Sequence, residues 1–109
     1  MWSLRADDRV LILDVPAVKE LAAIGRILLQ GCAVVVASRD EIDDGRQALA
    51  DFENIMFIEG APDRIPWRSQ FFTKILIPQQ WDSLRQGLAG ELQRVLAPGG
   101  AIVSLTESA

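Results

Sequence analysis

The chain has 109 residues, half of them hydrophobic and 24% charged, with a net charge of −4 at pH 7; this is the balance of a chain that folds around a core rather than of a disordered one. The acidity argues against a nucleic-acid partner, because the molecule as a whole repels a phosphate backbone. The complete lack of histidine excludes Ser-His-Asp and Cys-His catalysis and the commonest zinc sites.

The length fits a single domain spanning residues 1–109. No apolar run approaches the roughly 20 residues of a membrane span, and residues 1–8 (MWSLRADD) lack the pattern of a signal peptide. The expectation is a cytoplasmic protein with no membrane contact. Cys32 has no second cysteine to pair with and opens an apolar run, which predicts a buried, inert thiol.

Arg9–Leu13 (RVLIL) is a short branched apolar run that stops at Asp14-Val15-Pro16, so it reads as a buried strand leading into a helix. Through residues 17–30, Val18, Leu21, Ala22, Gly25, Leu28 and Leu29 recur at helical spacing, and Gly31 is the expected left-handed stop. A second strand at 33–37 (AVVVA) precedes Ser38-Arg39-Asp40-Glu41, the S-x-x-E pattern of a capping box. The helix it opens carries Ile42, Gly45, Leu49 and Phe52 as a narrow apolar stripe.

Residues 55–58 (IMFI) and 74–77 (KILI) predict the third and fourth strands. Between them Pro62, Pro66, Trp67, Phe71 and Phe72 predict an aromatic-pinned loop rather than a crossover helix. After Pro78, the series Trp81, Leu84, Leu88, Leu92, Val95 and Leu96 traces one face of a helix that Pro98-Gly99-Gly100 should end, and 101–105 (AIVSL) reads as the fifth strand. Strands alternating with helices imply an α/β fold with a parallel, doubly wound sheet.

Residues 91–104 (ELQRVLAPGGAIVS) strongly resemble the E-x-x-R-V-L-K-P-G-G segment before the fifth strand of class I S-adenosylmethionine-dependent methyltransferases. Residues 54–77 resemble that family's stretch from third to fourth strand, and residues 9–18 (RVLILDVPAV) fall on its first motif, R-V-L-D-L-G-C-G-T-G. The resemblance implies a Rossmann-like core of five strands in the order 3-2-1-4-5, without the family's sixth and seventh strands.

Set against the family's cofactor residues, the motif is degenerate. The acid of the first motif is Ile12, and its three glycines are Asp14, Pro16 and Val18; the ribose-holding acid is Ser38, or Ala37 in a register shifted by one, the Asp near the adenine is Ala61, and the Asp of the F-D pair is Thr73. A β-branched residue forced to positive φ at Val18 would cost on the order of 1–2 kcal/mol. Asp14 would set a carboxylate beside helix amides that otherwise attract an anion, repelling the cofactor's methionine carboxylate.

The expectation is therefore a pseudoenzyme: no cofactor, no catalytic residue, no metal ligand, and a role in self-association as a homodimer or in binding a protein partner. The alternative is an S-adenosylmethionine-dependent methyltransferase with an atypical or partner-completed site. Two sharper readings weigh less. Asp40, Glu41, Asp43 and Asp44 suit a helix's first turn without any metal, and Arg64, Arg68 and Lys74 among Trp67, Phe71 and Phe72 suit solvated cations over a pinned loop.

Overall fold

A computed structural model describes residues 4–14, 17–61, 63–77 and 85–104. The elements run β1 (Arg9–Leu13), α1 (Val18–Ile27), β2 (Cys32–Ala37), α2 (Arg39–Ala48), β3 (Ile55–Glu59), β4 (Phe72–Ile77), α3 (Arg85–Val95) and β5 (Leu96–Ser104). The five strands form one sheet in the order β3-β2-β1-β4-β5, and every neighbouring pair is parallel. Chain order reverses direction between β1 and β4, the switch point at which doubly wound folds open a crevice.

The central strands are continuous apolar runs because both faces of the sheet are covered. On one face, Val10, Ile12, Val35 and Leu76 pack with Leu21, Ile24 and Leu28 from α1 and its end, and with Ile42 and Leu49 from α2 and its end. On the other, Leu11, Leu13, Val34, Val36, Ile75 and Ile77 pack with Ile65 from the connection before β4 and with Leu92 and Val95 of α3. That connection has no helix among its described residues. It is pinned by Trp67, Phe71 and Phe72, whose ring centroids lie 5.0–5.9 Å apart, as the sequence predicts.

Several local expectations are corrected. The helix expected over 17–30 ends at Ile27, and Gly31 is not left-handed; Gly99 is the one glycine at positive φ among the described residues. Gly31 is needed for another reason: a Cβ there would stand 2.0 Å from the carbonyl oxygen of Asp8. The end of α1 is instead held by Asn54, whose Nδ2 donates to the carbonyls of Gly25 at 2.9 Å and Leu28 at 2.7 Å, meeting acceptors that a helix end leaves unpaired. Val18 and Leu29, both placed on the apolar stripe from spacing, are 49% and 80% exposed, and Ile24 takes the buried place.

Ser38 does stand at the N-cap of α2, in extended conformation, but its side chain makes no cap hydrogen bond. Its hydroxyl donates to Glu41 Oε1 at 3.2 Å instead. Pro98-Gly99-Gly100 do not separate helix from strand: α3 gives way to β5 at Leu96, and the three residues lie inside β5. Phe72 faces Leu96 while Lys74 faces Ala101, so β5 bulges there. Trp2, Pro16, Pro62, Pro78, Trp81, Leu84 and Leu105 lie outside the described residues.

Candidate functional site

In a parallel sheet all strand C-termini share one edge, and here that edge is built from the residues that follow β1, β2 and β3. Asp14 leaves β1 with φ 71°, and its amide donates to the carbonyl of Val36 at 3.0 Å. Ser38 follows β2, and after β3 the amide of Gly60 donates to the carbonyl of Ala37 at 3.1 Å. Ala61 comes next, exposed and bridged to Arg64. Asp14, Ser38 and Ala61 are thus brought to one end of the sheet.

The other positions singled out by sequence separate from them. Ile12 is fully buried and belongs to the core beneath α1 and α2. Val18 is the first residue of α1 and is not at positive φ; the left-handed bend falls at Asp14. Aspartate is one of the few residues that adopt this conformation routinely, at a cost on the order of 1 kcal/mol against glycine. Thr73 lies at the opposite end of the sheet, near the start of β4, where its hydroxyl accepts from the amide of Arg9 at 2.9 Å and donates to Asp8 Oδ1 at 2.7 Å.

Beside the head of α1 is a depression of about 200 Å³ lined by Val18, Glu41, Asp44 and Gly45. Its wall carries two carboxylates, a valine and a glycine. It gathers two residues of the acidic α2 run and one motif position.

Two clusters carry more of the local order than sequence reasoning assigned to them. Arg94 Nη2 donates to the carbonyl of Ile65 at 2.8 Å and Nη1 to that of Trp67 at 2.9 Å, while Nε and Nη2 grip the two oxygens of Glu91 at 2.7 and 2.9 Å. Glu91 in turn accepts from the amide of Ile65 at 2.6 Å. The E-x-x-R spacing therefore clamps the 61–71 connection against α3. The Arg94 hydrogen bonds hold the Glu91 carboxyl below its usual pKa; partial burial opposes this, and the Ile65 amide adds to it.

The second cluster surrounds Asp8, the one buried charged residue among those described. Burial pushes its pKa up, but the Arg5 amide, the Thr73 hydroxyl and the Lys74 charge together outweigh it, so the net shift is downward. Cys32 is half-buried, and desolvation raises its pKa despite the nearby Arg9 charge, as expected of an unreactive thiol. Arg68 lies 4.6 Å and Arg9 5.2 Å from the ring centroid of Phe71, and Lys74 is withdrawn toward Asp8. Arg64 and Arg68 are exposed, as the loop composition suggests, whereas Lys74 is half-buried beside Asp8.

Among the described residues no helix is long and apolar enough to cross a membrane. No protein-family profile matches the chain, and no curated protein matches it in sequence. Solved structures do. An S-adenosylmethionine-dependent methyltransferase from Aquifex aeolicus superposes with a TM-score of 0.78 at 16% identity, over 89% of this chain and 55% of that one. The fibrillarin pre-rRNA processing protein of Methanococcus jannaschii gives 0.76 at 18%, over 91% and 46%.

A further match comes from the complex of the Haloferax volcanii Trm112 methyltransferase activator with a protein described as a methyltransferase, at 0.79 and 18% over 93% and 46%. The chain spans about half the length of these solved chains. With its 3-2-1-4-5 parallel sheet, this chain has the Rossmann-like fold of the S-adenosylmethionine-dependent methyltransferases.

Proposed function

We propose that this chain is a noncatalytic, methyltransferase-like domain that works by association, with a second copy of itself or with another protein subunit. The observation that carries this reading is Asp14. The bend after β1 keeps the left-handed backbone that the family's glycine supplies, with φ 71°, but the residue that makes it bears a carboxylate.

The described residues do not fit S-adenosylmethionine. A cofactor carboxylate at the head of α1 needs unobstructed amides and a positive field, whereas Glu41 and Asp44 line the depression beside Val18 and Asp14 adds a carboxylate at the end of β1. Ser38 offers no carboxylate for a ribose, and its hydroxyl is turned onto Glu41. No chemical step is derived through the cofactor.

The two sheet edges bear on association differently. At β3, Arg46 Nη2 donates to the carbonyl of Phe57 at 2.8 Å and Arg39 pairs with Glu59 at 3.4 Å, so charged side chains blunt that edge. At β5, nine residues long, no further strand pairs on the outer side among the described residues. A stable interface takes about 800 Å² per partner, roughly an eighth of the 6216 Å² this chain exposes.

Isothermal titration with S-adenosylmethionine and its demethylated product, paired with sedimentation equilibrium at micromolar concentration, tests the proposal. The expected result is no saturable heat together with a dimer. Tight cofactor binding by the chain alone overturns the noncatalytic reading, and a monomer that also captures no partner subunit overturns association.

A second reading has its own support. Asp14 keeps a left-handed backbone at the end of β1, where a cofactor loop begins, as suits a methyltransferase whose site is completed by a partner. This reading predicts cofactor binding only when that partner is present.

A further inference from the structure

We infer that the depression at the opposite, N-terminal end of the sheet is a binding site for a phosphate-class oxyanion. It encloses about 400 Å³ between Arg5, Asp8, Thr73 and Lys74 on one side and the Gly99-Gly100 bulge of β5 on the other. That volume lies within the range of small-molecule sites.

Asp8, only 5% exposed, lines this depression. Its Oδ1 accepts from the Thr73 hydroxyl at 2.7 Å, and its Oδ2 accepts from the Arg5 amide at 2.7 Å. Both carboxylate oxygens thus accept hydrogen bonds from neutral donors, and Lys74 is only ion-paired with Oδ2. Lys74 Nζ stays 3.7 Å from Oδ2, beyond hydrogen-bond distance, although its side chain is only 19% exposed.

No hydrogen-bond acceptor meets that ammonium among the described residues, and the Arg5 guanidinium is likewise without one. Two cations with unmet donors therefore face one cavity whose single carboxylate is already engaged, giving a locally positive depression in a chain of net charge −4. Ammonium and guanidinium donors approaching from separate positions suit a tetrahedral oxyanion with several acceptor oxygens.

The glycines complete the wall. Gly99 sits at φ 80° with open space where a Cβ would point, and a Cβ on Gly100 would stand 2.9 Å from the carbonyl oxygen of Thr73. Gly99 and Gly100 therefore border the cavity with backbone alone, beside Pro98. Nothing here depends on the head of α1, so this site stands or falls separately from the association reading.

The test is an amide NMR titration of the full chain at constant ionic strength with inorganic phosphate and, in a parallel arm, ribose 5-phosphate. Saturable shifts are expected at Thr73, Lys74, Gly99 and Gly100, with none at Asp14 or Ser38; the arm that saturates at lower concentration separates free phosphate from a phosphomonoester. Arg5→Gln and Lys74→Met should each weaken binding by about tenfold, the loss of one charge-assisted hydrogen bond. Shifts that never saturate, that chloride or acetate reproduces equally, or that persist at wild-type affinity in the variants would overturn the proposal. Should Lys74→Met lose its dispersed spectrum, Arg5→Gln decides alone, because Arg5 is exposed and its side chain holds no hydrogen bond among the described residues.

Discussion

Removing the Asn54 side chain tests how α1 is ended. In Asn54→Ala the carbonyls of Gly25 and Leu28 lose donors at 2.9 and 2.7 Å. Each such bond contributes about 1 kcal/mol net, so the expected loss is about 2 kcal/mol, rising to about 3 where water cannot reach the freed acceptors. A chain of 109 residues unfolds with an entropy of about 0.2 kcal/mol/K, which converts that loss to a fall in Tm of roughly 9 °C.

Thermal unfolding followed by circular dichroism, with calorimetry to confirm a two-state transition, reads it directly. The companion variant is Gly31→Asn. A left-handed cap accepts asparagine at little cost, whereas a Cβ 2.0 Å from the Asp8 carbonyl oxygen forces backbone displacement costing about 1–3 kcal/mol or more. If Asn54→Ala shifts Tm by less than 2 °C while Gly31→Asn is neutral, the glycine is the cap after all and the reasoning fails.

The lowered pKa of Glu91 and of Asp8 fixes a sign. Each contributes stability that is fully present above the ordinary carboxylate range and is lost as pH falls through the depressed folded-state value. The urea midpoint should therefore decline below roughly pH 4, and Glu91→Gln should flatten part of that decline; an unchanged profile in the variant counts against the clamp. Asp14→Gly should raise stability slightly, by up to about 1 kcal/mol, since relief at φ 71° exceeds the added freedom of the unfolded chain. A clear destabilisation in denaturant melts would show that the Asp14 side chain holds the bend. Arg46→Ala frees the Phe57 carbonyl on the β3 edge and should increase light scattering on concentration; equal solubility would remove Arg46 as an edge guard.

Much of the fold was legible because hydrophobic spacing reports burial directly. RVLIL and AVVVA are apolar without alternation, which only a strand covered on both faces tolerates, and they are β1 and β2. Chain ends were less legible because spacing cannot see which neighbour approaches. Val18 and Leu29 fit the stripe yet face outward, and Gly31 resembles a cap yet serves a close approach to Asp8.

At the candidate site, sequence established which chemistry is absent: no histidine, and a first motif without its glycines. It did not locate the left-handed residue, because φ is a property of the closed backbone; the bend fell to Asp14 rather than Val18. Nor did it associate Asp8 with Thr73, Lys74 and Gly99, or Arg94 with Ile65 and Trp67. The hydrogen-bonded partners among these are 27 to 65 residues apart, and only sheet register and the packing of α3 bring them together. Periodicity fixes what a segment buries, being local, whereas charges and hydrogen bonds between distant segments exist only once the strands have been ordered.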